Sequence, residues 1–174
     1  MKIRPQTPYR LIAALLLVSL LPGAIPLAVA QEPAALVVGK EVRCPVCGMY
    51  PARYPKWMAQ VVFKDRVVQS FDSPADLFRF LQNMAKYDAR HTVADVGVVY
   101  FTDYAKGGWI EAKRAFIVVG SNARGPMNNA DLPAFGSRDA AEQFAKTNGG
   151  KVLAFDAVTP DVVGGLDHDH GHHH

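Results

Sequence analysis

The stretch Val67-Val68-Gln69-Ser70-Phe71-Asp72-Ser73-Pro74-Ala75-Asp76-Leu77-Phe78 decides the fold. Residues 67–71 are rich in β-branched and aromatic side chains and read as a strand. Ser73 then stands at a helix N-cap, Pro74 at the first helical position and Asp76 at the acidic capping-box position. Leu77, Phe78, Leu81 and Met84 follow at three- and four-residue spacing, which makes one apolar helix face. Upstream, residues 57–63 read as a strand, and Lys64-Asp65-Arg66 as the hairpin turn that joins it to 67–71. Downstream, a polar loop around His91 leads to a strand over 96–102.

The same corner occurs again at Phe135-Gly136-Ser137, which aligns with Phe71-Asp72-Ser73. Around it lie a strand at 115–119, the turn Gly120-Ser121-Asn122 and a short strand at 132–135. Ser137 caps a helix whose inward face is Ala140, Ala141, Phe144 and Ala145, and Asn148-Gly149-Gly150 ends it before a last strand at 152–155. The chain therefore reads as two ββαβ repeats, over about 57–104 and 113–157. Neither buries enough apolar surface alone, so the two are expected to pack into one α+β domain.

The ends have a different composition. Lys2, Arg4 and Arg10 precede an apolar run at 11–21, and Ala28-Val29-Ala30 precedes Gln31. That is the pattern of a cleaved signal peptide over residues 1–30. The prolines at 22 and 26 and the shortness of the run argue against a membrane span. No cysteine lies between the run and Gln31. The expectation is an exported, periplasmic chain that is not a lipoprotein. Three of the excess positive charges fall in this leader, so residues 31–174 are formally neutral. That gives no support for nucleic-acid binding or an anionic membrane surface. The expected domain occupies 31–163. Residues 164–174 read as a disordered His-rich tail that could loosely hold Cu(II), Ni or Zn.

The only two cysteines stand in Cys44-Pro45-Val46-Cys47-Gly48-Met49. One close pair closes too small a loop to staple a domain. Two thiols with a nearby thioether form a soft donor set, the chemistry that selects Cu(I) over hard cations. In an extended segment Cys47 and Met49 project to the same side. Met127, in the Gly/Pro loop Gly125-Pro126-Met127, is a further soft donor in a place where an apolar residue has little packing reason to sit. Two other readings compete. A structural zinc site wants four ligands, and the domain offers no second cysteine pair and only His91 besides. A thiol–disulfide oxidoreductase wants its motif to open a helix, which Gly48, Pro51 and Pro55 prevent. No nucleophile sits in a recognisable elbow with a placed base, so no catalytic residue is expected.

Taken in order, Cys44-Pro-Val-Cys-Gly-Met49, Trp57-Met-Ala-Gln60, Phe71-Asp-Ser-Pro-Ala-Asp76, Thr102-Asp-Tyr104, Trp109-Ile110, Val118-Val-Gly-Ser121, Gly125-Pro-Met127 and Gly149-Gly150 resemble the NosL family. The resemblance runs from about 43 to 155. It implies a fold related to a domain of organomercurial lyase. It implies a Cu(I) metallochaperone for nitrous oxide reductase maturation, partnered by a membrane ABC-type complex that passes copper to the reductase's cluster. The family's Cys-x-Met core implies that Cys47 and Met49 are the central ligands, with Cys44 and Met127 as further donors. The family's N-terminal lipid-bearing cysteine has no counterpart in this chain.

Overall fold

The computed structural model describes residues 34–166. The expected signal peptide and the histidines at 168–174 lie outside the described residues.

The first repeat forms as its sequence predicts. β1 (Ala59–Phe63) and β2 (Val68–Phe71) make an antiparallel hairpin, and Arg66 takes φ 71 in the turn. α1 (Pro74–Gln82) starts where Ser73 Oγ accepts the Asp76 amide at 3.2 Å. The apolar face does not run unbroken to Met84. Asn83 leaves the helical region at φ −142, and a separate turn, α2 (Met84–Tyr87), keeps Met84 buried. β3 (Val96–Thr102) returns beside β1. A strand absent from the sequence reading, β4 (Trp109–Glu111), pairs with the outer edge of β3. Three residues are too few to show a period.

The second repeat consists of β5 (Phe116–Val119), β6 (Ala134–Phe135), α3 (Arg138–Asn148) and β7 (Lys151–Ala154). Its strand order β6-β5-β7 reproduces β2-β1-β3 in the first sheet. Ser137 Oγ accepts the Ala140 amide at 3.3 Å, the counterpart of the Ser73 cap. The class is α+β, as expected. Both repeats feed one core: Val61, Phe63, Phe80 and Phe101 from the first meet Ile117, Leu132 and Ala134 from the second.

β1 is buried on both faces. Gln60 on its outer face is covered by the segment before the cysteines. Its amide accepts from Leu36 N at 2.9 Å and donates to Leu36 O at 2.8 Å, copying a strand pair. The disorder expected from Gly164 does not hold at residues 164–166. α4 (Pro160–Gly165) follows β7, and Leu166 is buried in the core. Its Gly-Gly end has poor helix propensity, so packing rather than local preference holds it.

His91 is buried against Phe63, its ring stacked at 4.0 Å. Its Nδ1 lies 2.8 Å from Asp88 and its Nε2 3.1 Å from Asp65 in the hairpin turn. Asp65 first, then Asp88, hold the imidazolium above the ordinary histidine value, and His91 in turn helps lower both carboxyls. A raised histidine stabilises the fold fully below its unfolded pKa, about 6.5. That contribution fades as pH rises through the higher folded value. The share of the lowered carboxyls is lost only in acid. The thermal midpoint should therefore fall more steeply above about pH 6.5 in the native chain than in His91→Gln. Parallel slopes in a melting series across that range would rule out this lock.

Candidate metal centre

The cysteines sit on a tight turn. Cys44 N donates to Met49 O at 2.8 Å, and Gly48 N donates to Cys44 O at 2.9 Å. Gly48 has φ 78 at the crest, a left-handed conformation that favours glycine. The turn folds both sulfurs back onto the start of α1. Cys44 is buried, Cys47 is half-buried, and both are free thiols.

Two carboxylates meet them there. Cys47 Sγ donates to Asp72 Oδ1 at 3.0 Å, and Cys44 Sγ to Asp76 Oδ2 at 3.4 Å. One ligand atom from each of Cys44, Cys47, Asp72 and Asp76 can be chosen so that all lie within 4.8 Å of one another. Asp72 closes β2 and Asp76 lies in the first turn of α1, where the positive end of the helix dipole favours negative charge. The capping box read at Asp76 is only half used. Ser73 caps the helix, but the Asp76 carboxylate turns to Cys44 and to Arg79 Nη1, 2.9 Å away.

The Cys47 thiol is pushed well above the usual range. The hydrogen bond with Cys44 contributes most, followed by burial, Asp76 and Asp72, with a smaller opposing pull from the Met49 amide. In the metal-free site Cys47 is thus held as the protonated thiol. An arriving soft cation displaces the thiol protons as it binds, and carboxylates stand beside both. The donor set fits two kinds of ion. Two thiolates favour Cu(I), whereas two thiolates with two carboxylates also satisfy a four-coordinate borderline cation such as Zn.

Met127 lies on the rim. With Pro126 it lines a small cleft shared with Asp72, Ser73, Asp76 and Asp131, and its side chain is 54% exposed. Met49 is half-buried, and its backbone closes the cysteine turn. The loop carrying Met127 is fastened to α1 by Asp131, whose Oδ1 accepts from Ala75 N at 3.1 Å and Leu132 N at 2.8 Å. A side chain at Gly125 would collide with that carboxylate, which explains the glycine. Burial pushes the Asp131 carboxyl up to about 7.

Asp72 and Asp76 are not among the metal ligands expected from sequence, where Asp76 reads as a helix-capping residue. A signal was present at Asp72, an acidic residue beside a cap that Ser73 already supplies. Arg43, next to Cys44 in the chain, does not face a thiol. It donates to Gly48 O at 3.0 Å and packs on Tyr50.

Fold and site define a small α+β protein with a largely buried thiol–carboxylate group able to hold a metal ion. The NosL family model matches residues 35–163. The copper-binding lipoprotein NosL of Achromobacter cycloclastes is 33% identical over 67% of this chain and 63% of its own length. That of Stutzerimonas stutzeri is 33% identical over 73% of this chain and 70% of its own length. The crystal structure of the copper chaperone NosL from Shewanella denitrificans superposes with a TM-score of 0.63 at 31% identity, covering 74% of this chain and 97% of that one. The chain belongs to the NosL family. The chain spans under two thirds of the length of the first of these relatives.

One expectation is corrected by these matches. Both curated relatives are named lipoproteins, against the reading of a chain that is not one. That reading rested on a missing cysteine near Gln31.

Proposed function

We propose that the protein is a Cu(I) metallochaperone, not an enzyme, which binds the ion through Cys44 and Cys47 and delivers it for assembly of the copper cluster of nitrous oxide reductase. The carrying observation is the convergence of two free thiols on one tight turn against the carboxylates of Asp72, just after β2, and Asp76 in α1. Met49 and Met127 supply thioether donors, which suit a monovalent soft ion and release it readily to a partner's ligands. Asp72 and Asp76 hold the thiols in the metal-free state and orient the sulfurs from outside the coordination shell. Copper binding by the named relatives supports the choice of ion. The receiving partner is the membrane ABC-type complex of the maturation machinery.

The raised Cys47 thiol speaks against a thiol–disulfide oxidoreductase, since attack on a disulfide needs thiolate. X-ray absorption on the Cu(I)-loaded protein should show a shell dominated by sulfur. A shell of oxygen and nitrogen, or preferential uptake of Zn from an equimolar mixture, would replace the copper reading with a divalent one. Deleting the gene should lower the copper content of nitrous oxide reductase; normal content would refute delivery.

A further inference from the structure

Tyr50, which follows the cysteine turn, is a platform for cations. The Arg43 guanidinium lies 4.3 Å from its ring centroid and that of Arg53 4.8 Å. Arg43 also donates to Gly48 O at 3.0 Å and to the Tyr50 hydroxyl, so its charge rests on the turn that carries Cys47 and Met49. Lys40 and Arg53 line one open cleft of about 340 Å³ beside it, with Glu41, Tyr50 and Ala52. Among the described residues, neither Arg43 nor Arg53 has a carboxylate partner. Two like charges drawn to one ring repel each other, and an anion placed between them relieves that cost. Residues 40–56 hold four cations, with Lys56 the outermost, and one carboxylate, Glu41, in a chain whose residues 31–174 are formally neutral. Residues 40–56 thus carry a net positive charge that the rest of 31–174 offsets.

We propose that Lys40, Arg43 and Arg53 form a docking collar for an acidic protein surface on the partner that exchanges copper with this site. The proposal rests on the carrier reading and adds the chemistry of the partner. A protein is favoured over an anionic membrane by position. The collar is joined to the thiol turn, and pressing it against a flat bilayer would cover the donors through which the ion must leave. A protein can offer carboxylates to the collar and ligands to the ion at once. Such charge pairing acts mainly on encounter rate and orientation, and salt screens it.

The test is stopped-flow transfer of Cu(I) from the loaded full chain to two synthetic Cys-x-x-Cys peptides, one flanked by glutamates and one by lysines. Transfer to the glutamate peptide should be about tenfold faster at low salt, and the gap should close near 1 M salt, where the screening length falls to about 3 Å. The double variant Lys40→Glu/Arg53→Glu should reverse the preference and leave Cu(I) affinity in chelator competition unchanged. Equal rates for both peptides, or a preference that survives charge reversal, would overturn the collar while leaving the carrier intact. Collar-dependent binding to phosphatidylglycerol vesicles without any peptide preference would also overturn it and give the patch to a membrane. Failure of the native chain to bind or release Cu(I) to either peptide would remove the carrier reading and the collar with it.

Discussion

Replacing Cys47 by serine should abolish high-affinity Cu(I) binding. Cys47 is the more accessible sulfur, beside Asp72 and one residue from Gly48 and two from Met49. A serine hydroxyl is a hard, weakly acidic donor and cannot stand in for a thiolate toward a soft ion. The loss should exceed the cost of removing an outer-shell partner, about 10–100-fold. Cys44→Ser should weaken binding less, because Cys44 is buried behind the turn. Asp72→Asn sets the scale. It removes the carboxylate that accepts from Cys47 and should fall within about 10–100-fold. Chelator competition on the three variants separates the possibilities. Tight binding retained by Cys47→Ser would end its assignment as a ligand. Equal losses in Cys47→Ser and Asp72→Asn would mark the carboxylate as a direct ligand.

Phe101→Ala should cost the fold about 3–5 kcal/mol. Phe101 is fully buried in β3, its ring 5.8 Å from Phe78 of α1 and 6.1 Å from Phe155 just after β7. Phe78 and Phe155 lie 5.3 Å apart, so the three rings close a triangle that joins the two repeats. Removing one leaves a cavity at the seam, where collapse would have to move both halves. Against a typical total of about 5–15 kcal/mol the loss is large. Val37→Ala, at a side chain 98% exposed, should change stability by less than about 0.5 kcal/mol. Urea denaturation measures both. A Phe101→Ala loss below about 1 kcal/mol would mean that the rings do not form a close-packed seam.

The sequence reading succeeded where the deciding forces act over a few residues. Ser73-Pro74 and Ser137 mark helix starts because an N-cap side chain bonds an amide three positions on, whatever lies around it. The hairpin turn at 64–66 and the shared order of the repeats follow from equally local patterns. Local signals failed at β4, too short to show a period, at Asn83, which breaks an otherwise continuous apolar face, and at α4, whose Gly-Gly end contradicts helix propensity.

The sulfur turn was legible for the same reason, since Cys44 and Cys47 lie in one tetrapeptide. Its surroundings were not. Asp72 is 25 residues from Cys47 and Asp76 is 32 from Cys44, so the thiols meet these carboxylates only through the packing of the cysteine turn on the β2–α1 corner. Asp131 is 56 residues from the Ala75 amide that it caps, so the Met127 loop is held beside the site by a contact between the two repeats. Hydrogen bonds and packing across such separations leave no period and no spacing in the chain. By itself the sequence determined the element order, the helix caps and the pair of sulfurs. Only the tertiary structure decided which charges face those sulfurs, because burial and distance in space set that, not neighbourhood along the chain.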